Sequence, residues 1–144
     1  MKALIQRVKN ASVTIDEKLC SKIDHGFLIL LGIEKGDDEE KISWLVNKIL
    51  NLRIFENEEG KMSKSVLDVD GEILVVSQFT LCADCKKGTR PSFDSAMAPK
   101  EANEMYDKFV KRLSEKITVK TGVFGAMMDV ALINDGPVTI MLEK

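Results

Sequence analysis

The sequence predicts an α+β fold, a mostly antiparallel sheet, curled or closed, with two helices packed on its outside. Three observations predict it. Short apolar runs recur between turn residues, only two segments carry a helical period, and no Gly-x-Gly-x-x-Gly follows any strand. The last point weighs against a doubly wound nucleotide-binding sheet. A chain of 144 residues suits one domain, residues 1–144, around one core.

The elements follow in order. Ala3 to Val8 is a β-type run, and Ser12-Val-Thr-Ile15 follows within hairpin distance. Cys20 to Ile23 reads as a short further strand, and His25-Gly26 as a turn. Phe27-Leu-Ile-Leu-Leu31 is apolar on both faces, which marks a central strand. Asp37 and Glu40 have capping-box-like spacing at the start of a helix whose stripe is Ile42, Leu45, Val46, Ile49 and Leu52. Asn57-Glu-Glu-Gly60 and Asp70-Gly71 are turns, the second feeding the strand Ile73-Leu-Val-Val76. The spacing around the first helix permits one parallel pairing. Pro99 opens a second helix with Ala102, Met105, Tyr106, Phe109 and Leu113 on its buried face. Val119 to Gly122 is extended, and two last strands, Val130–Ile133 and Val138–Leu142, flank a turn at Asn134-Asp-Gly-Pro137. The total is about seven or eight strands and two helices.

Composition narrows the function. Apolar residues make up 44% and charged residues 31%, a globular balance with no apolar run of membrane length. The N-terminus meets charge before any signal-like core forms, so a cytoplasmic location is expected. Three cysteines, an odd number, point to a reducing compartment. The formal charge is −2, so a polyanionic partner has to be held by a local patch.

The chemistry concentrates between Ser77 and Phe93. A buried strand there delivers Ser77, Gln78, Phe79 and Thr80 and then turns basic at Lys86, Lys87 and Arg90. The basic trio is either a solvated loop or a holder for phosphate. Ser77 and Thr80 are structural hydroxyls or catalytic ones, and Thr80 has no adjacent activating base. The main-chain N–H groups of Phe79 and Thr80, at a strand end, are the more economical candidates, as oxyanion donors. Cys82-x-x-Cys85 lacks the further ligands of a zinc site and the helix-start context of a redox pair, so two ordinary thiols are the better reading. The lone histidine, His25, sits in a turn, and no imidazole base is expected. The carboxylates of 37–40 and 56–59 read as solvated charges. Gly136-Pro137 is either a hairpin turn or a place where backbone approaches a ligand closely.

Ser77-Gln-Phe-Thr-Leu81, Lys87-Gly-x-Arg-Pro-Ser-Phe93 and Asn134-Asp-Gly-Pro-Val-Thr139, in this order, resemble the D-aminoacyl-tRNA deacylases. The likeness also takes in Met1–Val8, Leu31–Asp37 and Gly122–Met128. It implies a cytoplasmic homodimer of β-barrel-like subunits with outer helices, using no metal and no cofactor. The activity it implies is hydrolysis of the ester between a D-amino acid, or glycine, and the terminal adenosine of tRNA. Ser77, Gln78, Phe79 and Thr80 would line the pocket, with Gly136-Pro137, cis in the family, reaching in from the other subunit. Arg7 would fix the Gly-Pro orientation, and Phe124 and Met128 would line the adenosine side. Lys86, Lys87 and Arg90, with Lys108, Lys111 and Arg112 beyond them, would hold the tRNA. Cys82 and Cys85 stand where many relatives carry Ala and Thr.

Overall fold

The computed structural model describes residues 1–144. Chain order is β1 (Lys2–Ile15), β2 (Lys18–Ile23), β3 (Gly26–Gly32), α1 (Glu39–Leu50), β4 (Phe55–Glu56) and β5 (Met62–Lys64). After these come β6 (Glu72–Ser77), a 3₁₀ turn (Phe79–Cys82), α2 (Pro99–Ser114), β7 (Val119–Thr121) and β8 (Asp129–Glu143). The α+β expectation holds, with eight strands and two helices around one large mixed sheet and a small β4–β5 ladder.

Strand β1 organises the sheet. One of its edges pairs antiparallel with β8, while the other pairs with β3 through Lys2–Val8 and with β2 through Ala11–Ile15. Beyond β3 lie β6 and then β7, both in parallel pairing. A parallel neighbour needs a crossover, and α1 with the β4–β5 ladder supplies the first. The second crossover is α2, which adds a parallel pair beyond the single one the spacing suggested.

Two expectations about strand ends are corrected. The runs Ala3–Val8 and Ser12–Ile15 are one continuous strand of 14 residues, not two arms of a hairpin. Likewise Val130–Ile133 and Val138–Leu142 belong to a single 15-residue β8, and Asn134–Pro137 does not reverse the chain. Pairing with β1 continues on both sides of that segment, so the chain bulges there and carries on.

Around β3 and β6 each face of the sheet is buried. On the helix side, Phe27, Ile29 and Leu31 of β3 with Ile73 and Val75 of β6 meet Ile42, Leu45 and Ile49 of α1 and Phe109 and Leu113 of α2. On the other side, Leu28, Leu74 and Val76 meet Val8, Ala11, Val13 and Ile23. β1 contributes Ala3 and Ile5 to the first cluster and Val8, Ala11 and Val13 to the second. Its register shifts around Val8 accompany this change of side, and they curl the sheet. Burying a side chain such as Phe109 or Leu45 stabilises the fold by roughly 1.5–3 kcal/mol.

The cap of α1 is also corrected. Asp38, not Asp37, is the N-cap, accepting the Lys41 N–H at 3.0 Å. Asp37 is buried beneath, where it accepts from the Met1 ammonium at 2.7 Å, the Glu34 N–H at 2.7 Å and Lys41 Nζ at 2.9 Å. Burial pushes its carboxyl up, but these donors outweigh burial and hold it below the ordinary carboxylate value.

Candidate active site

Apolar β6 ends at Ser77, opposite Leu31 in the parallel ladder, and the Gln78 N–H donates to the Leu31 carbonyl at 2.8 Å. The chain then tightens into the 3₁₀ turn, closed by Leu81 N–H to Gln78 O at 3.2 Å and Ala83 N–H to Thr80 O at 3.1 Å. The Phe79 and Thr80 N–H groups come before any acceptor the turn can offer, and no main-chain carbonyl takes them. Cys82 is buried below, its thiol 3.6 Å from the Ile33 carbonyl, and burial pushes that thiol above its ordinary pKa. Close approach to β3 requires Gly32, where an added Cβ would lie 3.0 Å from Leu81 Cβ and 3.1 Å from Cys82 Sγ. The turn is thus seated on the core by its last two residues and leaves its first two free.

Beside it opens a cavity of about 660 Å³, walled mostly by hydrophobic side chains. Ser77, Gln78 and Phe79 form one side, and Phe124 and Met128, from the segment between β7 and β8, form another. Tyr106 supports Phe124 from below with ring centroids 5.8 Å apart. The Tyr106 hydroxyl donates to the Val75 carbonyl at 2.8 Å, and burial pushes its pKa up, so it is a neutral prop.

Thr80 is exposed and does not line this cavity. Its Oγ1 takes a hydrogen bond from Gln78 Nε2, an amide donor and no base. Sequence reasoning missed the third wall, formed by Met97, Ala98, Pro99 and Ala102 at the start of α2. Pro99 marked the helix start but not what that end of the helix faces. Phe93, which packs edge-on to the exposed Phe79 at 5.0 Å, completes the rim.

Lys86, Lys87 and Arg90 project into solvent from a tip pinched by paired hydrogen bonds between Asp84 and Ser92, at 2.8 and 3.0 Å. Lys108 and Arg112 are engaged elsewhere, within 2.8 and 2.9 Å of Glu39, where they join α2 to α1. The carboxylates of 37–40 are accordingly not all solvated.

Arg7, Gly136 and Pro137 lie apart from the cavity of their own chain. Arg7 is 4% exposed, with Nη1 donating to Ile54 O at 2.6 Å and Nε to Asp135 O at 2.9 Å. Gly136 has φ +130°, and a Cβ there would meet Val138 Cγ2 at 2.8 Å and Arg7 Nη2 at 3.0 Å. The Gly136–Pro137 peptide is cis, and both residues are exposed. His25 packs edge-on to Phe55 at 4.9 Å and lines a small polar recess with Arg7, Glu56 and Asp135, away from the apolar cavity. No three His, Cys, Asp or Glu side chains converge as metal ligands, and all three cysteines are free thiols.

Comparison with known proteins accounts for the whole chain. A D-aminoacyl-tRNA deacylase of Aquifex aeolicus is 58% identical over 145 residues, covering 100% of this chain and 98% of the relative. One from Syntrophus aciditrophicus is 54% identical, with 100% and 97% covered. A solved structure described as a c-Myc DNA unwinding element binding protein superposes with a TM-score of 0.96 at 47% identity, covering 100% of this chain and 99% of that one. A probable eukaryotic D-amino acid tRNA deacylase, at 17% identity and a TM-score of 0.81, shares the fold. The family model described as D-Tyr-tRNA(Tyr) deacylase matches residues 4–143. With relatives this similar over their full length, the chain belongs to the D-Tyr-tRNA(Tyr) deacylase family.

Proposed function

We propose that this chain hydrolyses the ester joining a D-amino acid, or glycine, to the 3′-terminal adenosine of tRNA, and so edits the handedness of the residues that reach translation. The observation that carries the reading is the family match across residues 4–143. Residues 1–144 act as one catalytic domain, without metal or cofactor.

An aminoacyl ester is already activated, so holding it in place and stabilising its oxyanion supply much of what hydrolysis needs. The free Phe79 and Thr80 N–H groups take the oxyanion role, with Ser77 and Gln78 shaping the pocket mouth. Phe124 and Met128 receive the adenosine side. Thr80 is a poor nucleophile, because the group on its hydroxyl is the donating amide of Gln78. Water therefore attacks the carbonyl, aided by the 2′-hydroxyl of the substrate, and the 3′-oxygen leaves with a proton.

Handedness is read by main-chain atoms of Gly136-Pro137 from a second copy of the chain. The exposure of that segment, held from behind by Arg7, supports this. Exposed Ile133 and Met141 on β8, with Met127 beside it, offer an apolar face for the second copy. A filter of backbone atoms rejects one hand whatever the side chain and admits glycine, which has none. Lys86, Lys87 and Arg90 hold tRNA phosphates. The reaction is placed in the cytoplasm, where free thiols persist.

The test is incubation with D-tyrosyl-tRNA and L-tyrosyl-tRNA. Release of D-tyrosine with the L-ester left intact is expected. Binding of both without hydrolysis would instead indicate a non-catalytic RNA-binding module.

A further inference from the structure

Asn134 and Thr139 frame Gly136-Pro137 in the same motif, and neither lines the cavity. Their place in the sheet gives them work. Gln6 of β1 faces Thr139 of β8, and Val8 faces Asn134, so Arg7 alone stands opposite four residues, Asp135 to Val138. Such a surplus cannot all bond to β1, and it bows out of the ladder. Side chains replace the lost bonds. Arg7 holds one limb through the Asp135 carbonyl. Asn134 ties the neck, with Oδ1 accepting the Val138 N–H at 2.8 Å and Nδ2 donating to Thr139 Oγ1 at 2.9 Å. Gln6 Nε2 approaches the same hydroxyl at 3.4 Å. A single carboxamide, rooted on the N-terminal flank of Gly136-Pro137, therefore grips the C-terminal flank at two points, accepting from Val138 and donating to Thr139.

We infer that Asn134 is a positioning residue for chiral selection, locking the bulge so that Gly136-Pro137 presents its main chain at a fixed angle. The inference rests on the function proposed above. Asn134 acts through Val138 and Thr139 and lines no part of the cavity. Opening the neck leaves the Phe79 and Thr80 donors untouched while letting the bulge sway. Hydrolysis of the accepted hand then changes little, and exclusion of the other hand fails.

The experiment measures hydrolysis of D-tyrosyl-tRNA and L-tyrosyl-tRNA by the wild type and by Asn134→Ala, Asn134→Asp and Thr139→Val, with thermal unfolding in parallel. Asn134→Ala is expected to lower the D-to-L rate ratio about tenfold, chiefly by raising L-ester hydrolysis. Asn134→Asp keeps an acceptor for Val138 and accepts the Thr139 hydroxyl proton, so the ratio returns close to wild type. Thr139→Val, losing one bond of the two, is expected to fall about threefold. A D-to-L ratio unchanged in Asn134→Ala, or both rates falling in step with stability, would overturn the inference alone. Should Asn134→Ala fail to fold, an unchanged ratio in Thr139→Val overturns it just as well. A wild type that does not separate the two hands would overturn the proposed function, and this role with it.

Discussion

The stretch 77–82 ends one strand of the sheet and 134–139 bows out of another, and different forces hold them. The first is shaped by its own backbone: a parallel strand ends, a 3₁₀ turn closes, and Leu81 and Cys82 seat it on the core. The bonds that close it are main chain to main chain, so the N–H groups at 79 and 80 are aimed by the turn. The second is a bulge within a continuous strand, shaped by side chains that reach it from Arg7 and Asn134. Donors fixed by backbone geometry tolerate substitution nearby, whereas a loop fixed by side chains fails when one of them goes.

The sharpest way to break this contrast is Gly136→Ala. The new methyl would lie 2.8 Å from Val138 Cγ2 and 3.0 Å from Arg7 Nη2, at a φ that disfavours any side chain. A displaced main chain is expected to cost about a hundredfold in D-ester kcat/KM or in D-to-L ratio. A variant with both at wild-type values would remove the segment from the site.

Asp37→Asn supplies a control that damages the fold outside both stretches, at a carboxylate bonded to neither of them. Removing one partner of its buried pair with the Met1 ammonium is expected to cost about 3 kcal/mol in denaturant unfolding, with the D-to-L ratio unchanged. Because the folded-state carboxyl is depressed, its contribution is full above the unfolded value of about pH 4. That contribution is lost as pH falls through the folded value. Stability should therefore fall less steeply on acidification in Asp37→Asn than in the wild type. Parallel acid limbs would contradict the assignment.

The smallest effect is expected at Thr80→Ala. That change removes a hydroxyl but leaves the N–H in place, so hydrolysis should stay within about threefold of wild type. A terminal 2′-deoxyadenosine should abolish it. Activity lost in Thr80→Ala with the fold intact would make Thr80 the nucleophile.

What the sequence disclosed follows the same division. β3, β6 and both helices were legible because each carries its own pattern: two buried faces for the strands, a 3.6-residue stripe for the helices. The continuity of β1 was hidden by polar Lys9 and Asn10 at the register shift around Val8. Asn134–Pro137 reads locally as a reversal, and only its partner β1, more than a hundred residues earlier, makes it a bulge. The choice of Asp38 over Asp37 as cap was likewise made by Met1, distant in sequence. In the site, the 77–80 segment announced itself by composition. Its wall from α2 did not, because Met97, Ala98 and Ala102 are ordinary residues until the crossover brings them there.

The central claim is that backbone atoms, and no side-chain pocket, judge the substrate. Its most direct test is the rate of glycyl-tRNA hydrolysis beside those of D- and L-tyrosyl-tRNA. The account predicts that glycine and D-tyrosine are released while the L-ester persists, because glycine offers nothing to collide. Glycyl-tRNA surviving together with the L-ester would mean that a D side chain is being recognised, and would contradict it.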